Sequence, residues 1–135
     1  MVSGDLDGDG DPDLVIASCG GRLRVWRNEL SDPTRFLLVE LIGAPPNTDA
    51  YGASLTARVG GHQLWREVTS GGGYASQSDR RVTIGVGDAG KVESLSVRWP
   101  DGTIEEGPAA TGGQLLIWRQ GQGVVDSRPL GRRVD

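Results

Sequence analysis

One cysteine and one histidine, Cys19 and His62, are all that 135 residues provide of either type. A lone cysteine excludes an intrachain disulfide and any thiolate-rich metal site, and a lone histidine leaves a single base for a Ser-His or Cys-His scheme. His62 follows Gly60-Gly61 in a turn where exposure is the default, and neither a nucleophile elbow nor a papain-like cysteine context accompanies it. No apolar run approaches a membrane span, and Met1-Val2-Ser3-Gly4 lacks the charged-then-apolar layout of a signal peptide. Helix-length stretches are also scarce. With 22 Gly and 7 Pro, the longest segments free of both are the eleven-residue Arg22–Asp32 and Tyr74–Ile84, which leaves little room for helices averaging about 11 to 12 residues. An all-β fold is expected.

What the chain has in excess is acid at one place. Net charge is −4, yet Asp5, Asp7, Asp9, Asp11 and Asp13 fall in one short stretch and the remainder carries +1. The body therefore has no field to steer nucleic acid or an anionic membrane, and the pairs Arg80-Arg81 and Arg132-Arg133 are too short for a nucleic-acid stripe. Asp5-Leu6-Asp7-Gly8-Asp9-Gly10-Asp11-Pro12-Asp13 reads D-x-D-G-D-G-x-x-D. Carboxylates so crowded repel one another unless a cation sits among them. Alternate side chains turned to one point, a backbone carbonyl and a glycine at the sharp turn form the donor set of a hard cation. Calcium fits best, because magnesium holds its waters and zinc or copper would ask for His or Cys. The expected ligands are the carboxylates of Asp5, Asp7, Asp9 and Asp13 and the main-chain carbonyl of Asp11. The twelfth position from Asp5 is Ile16 rather than a bidentate Glu, so the loop is not an EF-hand. The plain alternative is a solvated acidic turn without metal.

Strand signals follow the loop. Leu14–Ser18 and Arg22–Asn28 flank Cys19-Gly20-Gly21 as a hairpin, and Ser31-Asp32-Pro33 ends that unit. Phe36–Ile42 begins a more apolar strand. Leu55–Val59 and Gln63–Thr69 form a second hairpin about Gly60-Gly61-His62, Ser70-Gly71-Gly72-Gly73 opens a loop reaching Asp79, and Arg81–Val86 resumes strand character. In Lys91–Trp99, Leu95, Val97 and Trp99 share a face, and Trp99-Pro100-Asp101-Gly102 carries turn chemistry in order. Gln114–Arg119 is the last strand expected, and residues 121–135, poor in apolar content, read as a poorly ordered tail. The organisation is thus a 1–30 unit bearing the calcium loop, a 31–120 antiparallel β-sandwich or barrel-like domain, and a 121–135 tail.

Other features are weighed against plainer accounts. Gly85-Val86-Gly87-Asp88-Ala89-Gly90 matches G-x-G-x-x-G, but the fingerprint needs a helix where a strand follows, so a Gly-rich connection is the reading. Asp101, Glu105 and Glu106 are the only carboxylate cluster outside the loop. They are the acid and base candidates of a carbohydrate-active alternative, although successive strand residues point to opposite faces. Trp26, Trp65, Trp99 and Trp118 would be its sugar platform, against the plainer account of core or half-buried sheet residues. The Gly71–Ser78 loop is a long connection or, through Tyr74, Ser76 and Gln77, a candidate partner contact.

The acidic loop, Leu14-Val15-Ile16-Ala17 and Leu23-Arg24-Val25-Trp26-Arg27-Asn28 together resemble an FG-GAP/VCBS-type repeat, the calcium-loop blade of integrin-like β-propellers. Phe36–Trp118 resembles the ASPIC/UnbV domain that follows such repeats in proteins similar to cartilage acidic protein. Its matching residues are Asn47-Thr48-Asp49-Ala50-Tyr51-Gly52-Ala53, Arg66–Ser78, Gly85-Val86-Gly87 and Val97–Gly102. The resemblance implies an exported, calcium-binding, non-catalytic module with a protein or glycan partner, extracellular, periplasmic or at the cell surface. One repeat cannot close a propeller. The chain is therefore read as a piece of a longer exported protein, or its N-terminal hairpin docks on the β-domain.

Overall fold

The computed structural model describes residues 1–29, 32–73 and 75–131. Three strands open the chain, β1 Val2–Gly4, β2 Asp13–Ile16 and β3 Arg24–Trp26, and pair antiparallel in that order. The hairpin expected from Leu14 onward is β2–β3, with Leu14 opposite Trp26 and Val15 opposite Val25. Val2–Gly4 adds a third strand, too short to show a period of its own. Asp32 then caps a single 3-10 turn, Pro33–Arg35, by accepting from the Thr34 N–H, and the chain continues through β4 Phe36–Ile42, β5 Ser54–Val59, β6 His62–Glu67 and β7 Val82–Gly85. A second 3-10 turn at Gly87–Ala89 leads to β8 Lys91–Val92, β9 Ser94–Arg98, β10 Ile104–Gly107, β11 Ala110–Thr111, β12 Gln114–Arg119 and β13 Gly123–Pro129. The G-x-G-x-x-G stretch is thus a tight turn between strands, with Gly87 and Gly90 at positive φ.

The fold is an all-β sandwich of two four-stranded sheets, β13-β12-β4-β7 and β10-β9-β5-β6. Their alternating inner residues share one apolar core: Leu37, Val39, Ile84, Leu116 and Trp118 from the first, Leu55, Ala57, Leu95 and Val97 from the second. Trp99, one residue past β9, is buried with them. Edges remain in both sheets, so no barrel closes. The sheets are not wholly antiparallel, since β12 runs parallel to β4 from Gln114 opposite Leu37 to Arg119 opposite Ile42. A parallel pair needs a long crossover, and here the entire second sheet lies between the two strands in the chain.

The expectation of a poorly ordered tail from residue 121 is corrected. Residues 123–129 pair with β12 along its length, and Val124 packs against the core. Low apolar content misled because an edge strand is held by ladder hydrogen bonds and needs only one apolar face. Residues 132–135, with Arg132 and Arg133, lie outside the described part. β4 explains another feature of the sequence. Leu37, Leu38, Val39 and Leu41 are all buried, more than one covered face would require, because the N-terminal acidic loop lies over the outer side of this strand at Leu38.

Candidate metal centre

The loop between β1 and β2 is built by its own backbone. Gly8 and Gly10 take φ of 82° and 97°, a left-handed conformation that side chains disfavour. The turns aim amides inward. Gly8 N–H donates to Asp5 Oδ1 at 2.7 Å and Gly10 N–H to Asp5 Oδ2 at 3.2 Å. Asp11 N–H donates to Asp9 Oδ1 at 3.1 Å. Asp13, the first residue of β2, accepts from Leu6 N–H at 2.9 Å and from Asn28 N–H at 2.8 Å, which ties the loop to the exit of β3.

This arrangement brings Asp5, Asp7 and Asp13 together, with one carboxylate oxygen from each within 4.8 Å of the others. Asp9 and Asp11 stand outside that trio. Asp9, Asp11 and Asp13 are buried, Asp11 and Asp13 to 1% exposure. Both carboxylate oxygens of Asp11 are buried without a hydrogen-bond partner among the described residues. Burial, then the charges of Asp9, Asp13 and Asp7, push the Asp11 carboxyl up to about 6. Burial also raises Asp5, against the Gly8 amide and the Arg81 cation. An orphaned carboxylate among four others is what a hard cation would relieve, and the donors are all oxygens. The residues could therefore hold a metal ion. A bound ion would be held by the Asp5, Asp7 and Asp13 carboxylates, with Asp9 and Asp11 beside them.

Two cations of the chain already lean on this site. Arg27, just past β3, places Nη1 3.5 Å from Asp7 and its Nε 2.9 Å from Glu29. Arg81 donates to the Asp5 carbonyl at 3.2 Å, stands 3.9 Å from its carboxylate and grips Asp79 at 2.5 Å. For Asp79, burial is outweighed by the side-chain and backbone hydrogen bonds from Arg81, so its carboxyl lies below the usual range. Next to this pair, Asp79 N–H donates to the Ser3 carbonyl at 2.9 Å and Ser3 N–H to Ser78 Oγ at 3.2 Å. On the opposite side Leu130 packs so close that a Cβ on Gly10 would overlap it. The N-terminal unit thus docks on the β-domain. Sequence reading missed Arg81, Asp79 and Leu130, and no spacing announces them. In Arg81→Met, the Asp79 amide should lose about 1.5 to 3 kcal/mol of hydrogen-exchange protection, the range for hydrogen bonds to charged groups. The β12 amides should be unchanged, and unaltered Asp79 protection would refute the clamp.

The remaining candidates are placed differently. Gln77 donates to Tyr51 Oη at 2.6 Å, Ser76 is half-buried opposite Gly73, and Tyr74 lies outside the described residues. Glu105 uses both oxygens structurally, accepting from the Trp118 indole at 2.7 Å and from Gly121 N–H at 2.6 Å. Asp101 caps its own turn through Thr103 N–H at 2.9 Å and Oγ1 at 2.7 Å, and takes Gln120 at 2.8 Å. Those Thr103 hydrogen bonds hold its carboxyl below the usual range. Glu106 projects from the opposite face of β10 to Glu105. Trp99 and Trp118 are core residues, while Trp26 and Trp65 are more than half exposed. His62, at the head of β6, is exposed.

Residues 43–125 match the family described as ASPIC and UnbV, and residues 5–58 match the FG-GAP-like repeat. The second match runs from the acidic loop into β5, so the two overlap within the sandwich. No curated protein matches the chain. No helix of the described residues is long and apolar enough to cross a membrane.

Proposed function

Because the chain belongs to the ASPIC and UnbV family and opens with an FG-GAP-like repeat, we propose that it is an extracellular, non-catalytic binding module whose N-terminal unit is ordered by calcium. The reading includes a periplasmic or cell-surface setting, where calcium is plentiful enough for a loop of modest affinity. The observation that carries it is the Asp11 carboxylate, buried without a partner beside a trio of converging aspartates. Calcium supplies charge neutralisation and nothing reactive. The chain's own residues do the rest: the Gly8 and Gly10 amides orient Asp5, Asp13 fastens the loop to Asn28, and Arg81 joins the loop to Asp79. A rigid N-terminal unit then fixes the Ser78–Asp79 end of the 70–79 loop. That loop, through Ser76 and Gln77, is the surface offered to a protein or glycan partner. Domain limits of 1–30 and 31–120 go with this proposal.

The test is calorimetric titration of calcium into chelator-stripped protein beside the Asp7→Ala, Asp9→Ala double variant. One saturable site, lost in the variant, is the expected result. No heat at millimolar calcium would overturn the metal reading and leave the β-domain as the functional unit.

A further inference from the structure

The outer face of the β10-β9-β5-β6 sheet holds a cleft with no role in the metal centre. Strand alternation puts Trp65 and Glu67 of β6, Ser54 of β5 and Arg98 of β9 on this face, with Glu67 opposite Ser54 and Ser54 opposite Arg98. They line, with Pro100 and Trp99, a cleft of about 310 Å³. Three properties set it apart. Trp65 is 56% exposed although it lies in the middle of a strand. Among the described residues, Arg98 and Glu67 have neither an ion pair nor a side-chain hydrogen bond, so a free donor and a free acceptor line the cleft with the indole. Trp99, which lines the same cleft, has a buried indole N–H without a partner.

We propose that this cleft binds a hexopyranose unit of a neutral polysaccharide, with Trp65 as its stacking platform. A pyranose ring has an apolar C–H face that suits a flat, exposed indole and a rim of hydroxyls that each want a donor or an acceptor. Trp65 meets the first need, and the Arg98 guanidinium, the Glu67 carboxylate and the Ser54 hydroxyl meet the second. One Arg and one Glu leave the cleft neutral, which disfavours a polyanion. Of the carboxylates that hydrolysis would draw on, Asp101 and Glu105 are committed elsewhere, which leaves Glu106 without the second carboxylate that such chemistry needs, so the proposal is binding without turnover.

The experiment titrates cellohexaose, mannohexaose and chitohexaose separately into the full chain, followed by NMR of the indole N–H signals. At least one should bind saturably and shift the Trp65 signal. Trp65→Ala should weaken that binding about tenfold or more, equivalent to about 1.4 kcal/mol, and Trp65→Phe should retain part of it. Trp26→Ala, in the other exposed tryptophan, should leave it unchanged. Trp65→Ala should keep its melting temperature, because an exposed side chain off the core changes stability by about 0.5 kcal/mol or less. Absence of binding by all three at millimolar concentration, undiminished binding by Trp65→Ala, or preference for a heparin hexasaccharide would overturn the proposal. Chelation should leave binding intact, so a failure here is distinguishable from a failure of the calcium reading.

Discussion

Stripping calcium should lower the melting temperature and loosen one end of the molecule while the sandwich keeps its protection. A ligand that binds only the folded state at about a hundred times its Kd contributes about 2.7 kcal/mol. For a domain of this size that corresponds to roughly 5 to 10 °C. Without the ion, Asp5, Asp7, Asp9, Asp11 and Asp13 crowd one another, and the buried Asp11 carboxylate has no hydrogen-bond partner among the described residues. Arg27 and Arg81 compensate Asp7 and Asp5 in part, but neither reaches Asp11. Hydrogen exchange with and without chelator should therefore show Leu6, Gly8, Gly10, Asp11 and Asn28 losing protection, because each of these amides donates to a loop carboxylate. Amides of β5, β9 and β12 should be indifferent, as their ladders and the core between the sheets do not involve the loop. The docking contacts set how far the change spreads. Asp79, bonded to Ser3, and the Leu130 region against Gly10 should loosen with the loop. Equal protection of the Leu6–Asp11 amides in both conditions would remove calcium from the account of this fold.

The parts of this architecture that were legible in the sequence are those whose chemistry is local. Nine consecutive residues carry the acidic loop that brings Asp5, Asp7 and Asp13 together, and Trp99-Pro100-Asp101-Gly102 folds as its turn residues dictate, with Gly102 N–H returning to the Trp99 carbonyl at 2.9 Å. Leu95, Val97 and Trp99 could be placed on one face because each is two residues from the next, and that face is the buried one. What was not legible depends on partners far away in the chain. Ser3 meets Ser78 at a separation of 75 residues and Asp5 meets Arg81 at 76, and Arg81 looks in the sequence like half of an ordinary surface pair. Pairing of 123–129 with β12, and the parallel run of β12 beside β4, are likewise topological facts that no local period encodes. The four tryptophans show the same divide. Trp65 shares its face with Gln63 and Glu67, which predicts exposure by alternation. Trp118 follows Leu115-Leu116-Ile117, a run with no period that leaves its burial to the fold.

That tryptophan carries the second large effect. Trp118→Ala should cost about 3 to 5 kcal/mol, the range for deleting a large aromatic from a core, out of the roughly 5 to 15 kcal/mol that holds a domain together. The site is poorly able to collapse. Trp118 is fully buried, and Gly107 lies so near its six-membered ring that any Cβ there would overlap it. Its indole N–H is bound by Glu105, whose other oxygen takes the Gly121 amide between β12 and β13. Glu105→Gln isolates the polar part, since the amide keeps the shape but turns a donor toward one of two donors. A cost of about 1 to 3 kcal/mol, the penalty of an unsatisfied buried group, is expected in urea denaturation. The same substitution also separates two views of this carboxylate. If Glu105 is the clamp on Trp118 and Gly121, the variant melts earlier and no glycan is hydrolysed before or after the change. If it were an acid or base acting on sugar, hydrolysis by the parent protein would vanish while stability stayed level. The geometry favours the clamp, because a carboxylate with both oxygens engaged, one by a buried indole, cannot present a proton to a substrate without first releasing the packing of the core.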